Sequence, residues 1–80
     1  MLEFVVYSRR GCHLCEDMLE ALEPLCRGRA SVIVRDVDSR EDWAQAYGLH
    51  VPVLVADGKE ISRYQMDRKA VIALLASGKV

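Results

Sequence analysis

Eighty residues, 51% of them apolar and 29% charged, suffice for one domain (1–80) around one core and leave no length for a second. Eleven basic against twelve acidic side chains give a net charge of −1, without the basic field expected of a nucleic-acid or anionic-membrane binder. Three cysteines are too few for a secreted disulfide scaffold, and no signal peptide is read at the start, so a cytoplasmic protein with reactive or ligating thiols is expected.

Leu2 to Tyr7 (LEFVVY) is apolar on both faces and rich in β-branched and aromatic residues, the pattern of a buried central strand. Ser8 to Gly11 is a polar loop. From Cys12 the period becomes helical. Leu14, Met18, Leu22 and Leu25 form one stripe with Cys15, Leu19 and Cys26 beside it, and Glu16, Asp17, Glu20 and Glu23 take the opposite face. Gly28 supplies a left-handed cap after Arg27. Pro24 cannot donate to the Glu20 carbonyl and is expected to kink the helix.

Ser31 to Asp36 (SVIVRD) reads as a second strand. Asp38 with Glu41, or Ser39 with Asp42, has the spacing of a helix N-cap, and the short helix that follows carries Trp43, Ala46 and Tyr47 up to Gly48. Val51 to Ala56 (VPVLVA) is a third strand, Asp57-Gly58 a hairpin turn, and Lys59 to Tyr64 a fourth strand. Asp67 caps a last helix bearing Ala70, Val71, Leu74 and Leu75, which ends near Gly78. The order β-α-β-α-β-β-α predicts an α/β fold: a four-stranded mixed sheet flanked by helices, its first half a right-handed βαβ unit.

Cys12-His13-Leu14-Cys15 falls where the first strand has ended and the first helix begins. The free amides and partial positive charge of a helix N-terminus favour thiolate over thiol. Because the thiolate is the nucleophile of disulfide exchange, Cys12 is the candidate attacking group. Cys15, one turn further, is placed to attack a mixed disulfide on Cys12 and release the product. Arg9, Arg10 and protonated His13 add positive charge, which Glu16 and Asp17 oppose. His13 is the candidate for tuning the thiolate.

Tyr7-Ser8-Arg9-Arg10-Gly11-Cys12-His13-Leu14-Cys15 resembles the active-site segment of glutaredoxins. Asp36 to Glu60, including Tyr47-Gly48-Leu49-His50-Val51-Pro52-Val53-Leu54, resembles the later half of the same family. The order of elements matches too, so the resemblance covers nearly the whole chain. It implies a thioredoxin-like (glutaredoxin-type) fold and a thiol–disulfide oxidoreductase acting on protein or glutathione mixed disulfides. It also implies a cis Val51-Pro52 bond facing the cysteines, with the Val51 backbone offered to an extended thiol substrate. By the same resemblance Arg9 meets a glutathione carboxylate, and Asp67 matches an acidic position at the start of the last helix. Glutathione is then a co-substrate, no tightly bound cofactor is expected, and a dithiol or glutathione system restores the reduced pair.

Two departures bear on that likeness. His13-Leu14 stand where glutaredoxins commonly carry Pro-Tyr, so their redox potential is not inherited. Tyr64-Gln65-Met66 stand in place of a Gly pair that admits the γ-glutamyl end of glutathione to bare backbone. Losing charge-assisted hydrogen bonds there is expected to weaken glutathione binding by about 1.5–3 kcal/mol.

Cys26 lies on the apolar side of the first helix, about three turns from Cys15, and is expected to pack in the core. A metal-binding module is the alternative from another class. Cys12, Cys15, Cys26 and His50 could formally ligate zinc, although Cys26 at the far end of the helix spoils the tetrahedron. The resemblance also allows an iron–sulfur cluster bridging two protomers through Cys12. No apolar stretch approaches membrane-spanning length, and a monomer is expected.

Overall fold

A strand buried on both faces belongs in the middle of its sheet, and Leu2–Ser8 (β1) sits there. The structure, a computed structural model, describes residues 2–77. After β1 come α1 (His13–Cys26), β2 (Ala30–Asp36), a 3-10 turn (Val37–Ser39) and α2 (Glu41–Tyr47). The chain continues through β3 (Val53–Ala56), β4 (Lys59–Arg63) and α3 (Arg68–Ser77). The sheet order is β2-β1-β3-β4, with β1 parallel to β2 and antiparallel to β3, and β3 antiparallel to β4. This is the four-stranded mixed sheet that the order of elements predicted, in the thioredoxin-type arrangement that the resemblance implied.

Alternation along the strands divides the apolar residues between two cores. Phe4, Val6 and Leu54 face Met18, Leu22 and Cys26 of α1 and Val71 of α3. Val5, Tyr7, Val53 and Val55 face Val37 and, from α2, the partly buried Trp43 and Tyr47. On that second face Tyr7 stacks on Tyr47 with ring centroids 4.1 Å apart and meets Trp43 edge-on at 5.7 Å.

Several local expectations are corrected. The buried stripe of α1 is Cys15, Met18, Leu22 and Cys26, whereas Leu14 is 44% exposed. Leu14 belongs to the first turn, where it faces a cleft toward Tyr64 and Met66 rather than the sheet. Pro24 does lie inside α1, in its last turn, and the helix runs on to Cys26 with the Glu20 carbonyl short of one donor. Neither Asp38 nor Ser39 caps α2. Arg40 occupies the N-cap without a side-chain bond, while Asp38 is drawn to Arg9 and the Ser39 hydroxyl donates to the Asp36 carbonyl at 2.6 Å. The inward residues of α2 are Trp43, Ala44 and Tyr47, with Ala46 exposed.

The hairpin forms as read. Asp57 and Gly58 both have positive φ, 54° and 74°, as a primed two-residue turn requires. β4 stops at Arg63 because Tyr64 turns into the left-handed region at φ 70°. Asp67 caps α3, its Oδ1 accepting from the Ala70 amide at 3.1 Å. The expected end of α3 near Gly78 lies outside the described residues. Among the described residues, no helix is long and apolar enough to cross a membrane.

Candidate redox site

The loop between β1 and α1 is short and tightly tied. Gly11 takes φ 72°, a conformation that favours glycine, and the Cys12 amide donates back to the Arg9 carbonyl at 3.3 Å. That turn delivers Cys12 to the N-cap of α1, with extended backbone at φ −91° and ψ 106°. Its Sγ does the work of a capping oxygen, accepting from the Cys15 amide at 3.1 Å, while its carbonyl accepts the first helical bond from Glu16.

Cys12 and Cys15 are joined as a disulfide, with Cα atoms 5.2 Å apart. The partners are unequal in access: Cys12 is half-buried and Cys15 only 2% exposed. Once the pair is reduced, an amide donor and the helix N-terminus both face the sulfur that solvent reaches first. This is the arrangement of a thiol–disulfide exchange site. His13, the first residue of α1, is exposed, and its imidazole has no hydrogen-bond partner among the described residues.

β3 lies beside β1 with Tyr7 opposite Val53, so the residues just before Val53 stand at the sheet end from which the Cys12 loop departs. The Val51-Pro52 bond there is cis, as the resemblance implied. Pro52 is buried and its carbonyl accepts from the Tyr64 amide at 2.8 Å. Val51 packs on the second core, and its own amide and carbonyl have no partner among the described residues. The Tyr64 hydroxyl meets Nδ1 of His50 at 2.8 Å, which ties the β4–α3 loop to the segment leading into Val51. Tyr64, Leu14 and Met66 line a largely apolar cleft of about 430 Å³ together with Asp17 and Arg68.

Arg9 does not stand free. Its Nε and Nη2 donate to the two carboxylate oxygens of Asp38 at 2.9 and 3.0 Å, and Nη1 donates to the Gly48 carbonyl at 2.9 Å. The hydrogen bond from Arg9, with its charge, holds the Asp38 carboxyl below the usual carboxylate range, against a smaller opposing effect of desolvation. The pair is therefore fully ionised at neutral pH, and its contribution disappears only as pH falls through the lowered Asp38 value. Arg10 next to it is exposed and unpaired among the described residues.

Asp38 and Gly48 were missed as members of this loop's surroundings. A signal for Asp38 exists in the parallel register: Ser8 pairs with Asp36, so the residues leaving β1 and β2 run out side by side. The Asp67 carboxylate, which by resemblance matches the family's acidic position at the start of the last helix and a place in glutathione binding, has one oxygen engaged in capping α3. Cys12, Cys15, Cys26 and His50 do not assemble, and no group of three or more potential metal ligands occurs among the described residues. The four residues are kept apart for the reason read from the sequence: Cys26 closes α1 at the end away from Cys12 and Cys15.

Cys26 is only 1% exposed and burial pushes its thiol pKa up, so it stays protonated and shielded. In the reduced protein, alkylation at neutral pH is expected to label Cys12 first and Cys26 last. Peptide mapping by mass spectrometry reads that order, and early labelling of Cys26 would move the reactive thiol elsewhere.

The family model of the glutaredoxin-like domain (DUF836) matches residues 3–76. Comparison with curated proteins finds no match. Among solved structures, protein Ne2328 from Nitrosomonas europaea is 36% identical with a TM-score of 0.81, covering 91% of this chain and 89% of its own. A structural-genomics target protein from X. campestris is 33% identical with a TM-score of 0.71, over 92% of this chain and 96% of that one. A mutant thioredoxin from Halobacterium salinarum is 27% identical with a TM-score of 0.67, over 99% of this chain and 75% of that one.

Proposed function

Since this chain belongs to the glutaredoxin-like domain family and is a thiol–disulfide oxidoreductase, we propose that it reduces protein or glutathione mixed disulfides with Cys12 as nucleophile and Cys15 as resolving thiol. The observation that carries the assignment is the asymmetry of the pair: Cys12 Sγ caps the helix and is reachable, whereas Cys15 is buried one turn below it. The Cys12 thiolate attacks a substrate disulfide, forms a mixed disulfide and expels one thiolate. Cys15 loses its proton to solvent and attacks Cys12 Sγ, closing the Cys12–Cys15 disulfide and expelling the second thiolate. The electron pair passes from the dithiol to the substrate, and a dithiol or glutathione system restores it. The working unit in this proposal is a monomer in the reducing cytoplasm, and His13 is the residue that tunes the thiolate from the first turn of α1.

Val51 supports the docking half of the proposal, because its unpaired amide and carbonyl suit an extended substrate backbone. Glutathione is the weaker co-substrate. The β4–α3 loop keeps a glycine-like backbone at φ 70° but fills the position with a tyrosine ring tied to His50, so close approach to bare backbone is blocked. Asp67 is left to contribute its free oxygen and the start of α3.

Tyr64→Gly is expected to raise turnover in a glutathione-coupled disulfide assay by about tenfold, equivalent to about 1.4 kcal/mol. Robust wild-type turnover that the glycine does not improve would show that the ring is no obstruction. Failure of reduced wild-type protein to reduce any disulfide would remove the proposed reaction itself.

A further inference from the structure

Arg9 offers the redox loop a cation and then withdraws it. Its carbonyl bonds the Cys12 amide, so the side chain springs from the same turn that presents the reactive sulfur. Yet all three guanidinium nitrogens are engaged, two by the Asp38 carboxylate and one by the Gly48 carbonyl. Two parallel bonds from one face of a guanidinium to one carboxylate match in geometry as well as charge, and an incoming carboxylate would have to break both. Held this closely, the two charges also nearly cancel at a distance, leaving a dipole where a free arginine would project a positive field.

We propose that Asp38 is a specificity-determining residue: by holding Arg9 in a two-point ion pair it denies the loop cation to anionic substrates. The site thereby favours uncharged disulfide segments of proteins over small anionic disulfides such as glutathione disulfide. This rests on the oxidoreductase reading above and adds the substrate class that the site selects. The chemistry is the same for either class: Cys12 forms the mixed disulfide and expels a thiolate, and Cys15 expels the second. Only the charge on the leaving and bound halves differs, and that is what Arg9 would feel if released.

The test is single-turnover oxidation of protein reduced beforehand and freed of reductant, with glutathione disulfide as the anionic oxidant and hydroxyethyl disulfide as the neutral one. Wild type, Asp38→Asn and the double variant Arg9→Gln/Asp38→Asn are compared at low and high salt. Asp38→Asn should raise the ratio of the glutathione disulfide rate to the hydroxyethyl disulfide rate by at least about threefold at low salt. The gain should shrink in high salt and vanish in the double variant. Equal acceleration by both disulfides would mean that Asp38 sets the intrinsic reactivity of the thiol, and the proposal falls. An unchanged ratio defeats it as well. A gain that persists in the double variant would assign the effect to Arg10 or to the lost carboxylate alone, again overturning it. If Asp38→Asn does not fold by circular dichroism, Asp38→Ser carries the same comparison. Wild-type protein inert toward both disulfides would instead strike the oxidoreductase reading.

Discussion

Cys12→Ser is expected to abolish disulfide reduction, with a loss on the order of 10³-fold or more, whereas Cys15→Ser captures substrate and fails to let it go. A serine hydroxyl at the N-cap still accepts the amide that now points at Cys12 Sγ, so the fold has no reason to change. Without a thiolate, however, nothing attacks. In Cys15→Ser the half-buried but reachable nucleophile and its helix N-terminus remain, and only the buried sulfur that completes exchange is gone. Intact-mass analysis after incubation with glutathione disulfide should show a persistent adduct on Cys15→Ser and none at that site on Cys12→Ser. Equal loss of adduct in both variants would refute the division of labour between the two cysteines.

The second large effect is on stability. Phe4 is fully buried in the central strand, packed in the cluster that joins β1 to α1 and α3. Phe4→Ala removes most of a ring and leaves a cavity, at a cost of about 3–5 kcal/mol. Small domains hold roughly 5–15 kcal/mol in all, so much of the margin goes. A urea titration followed by circular dichroism should show the midpoint fall steeply with little change in slope. Val34 on β2 is 51% exposed, and Val34→Ala should move the midpoint by no more than about 0.5 kcal/mol. Similar shifts for both variants would mean that the core is not organised around β1. Because α1 packs on Phe4 and also carries the cysteines, redox activity should be lost along the same titration.

What was legible in the chain was what depends on neighbours in sequence. The apolar run of β1, the Asp57-Gly58 turn and the Cys12–Cys15 spacing at a helix start are local patterns with local causes. The contacts that went unread are long-range. Arg9 meets Asp38 across 29 positions and Gly48 across 39, and no propensity of Arg9 itself favours either partner. The cap of α2 was misplaced for the same reason, since the Asp38 carboxylate that suits a helix start is held by a residue from another segment. Leu14 fits the helical period, but period alone does not say where the sheet beneath a helix ends. Tyr64 was recognised as bulky where glycine is usual. Its left-handed backbone and its bond to His50 required the fold.

The order β2-β1-β3-β4 leaves two rims, and they are not defended equally. β4 is five residues long, carries Lys59, Glu60 and Arg63, and has a register shift opposite Leu54 and Val55 that interrupts any regular template. β2 is seven residues long and keeps its charges, Arg35 and Asp36, at one end. Val32, Ile33 and Val34 form the middle of that edge, with Val34 half in solvent. A strand from another molecule would find no bulge or lysine in its way there. Conditions that loosen the fold therefore expose this protein to self-association first along β2, on the side of the sheet away from the hairpin.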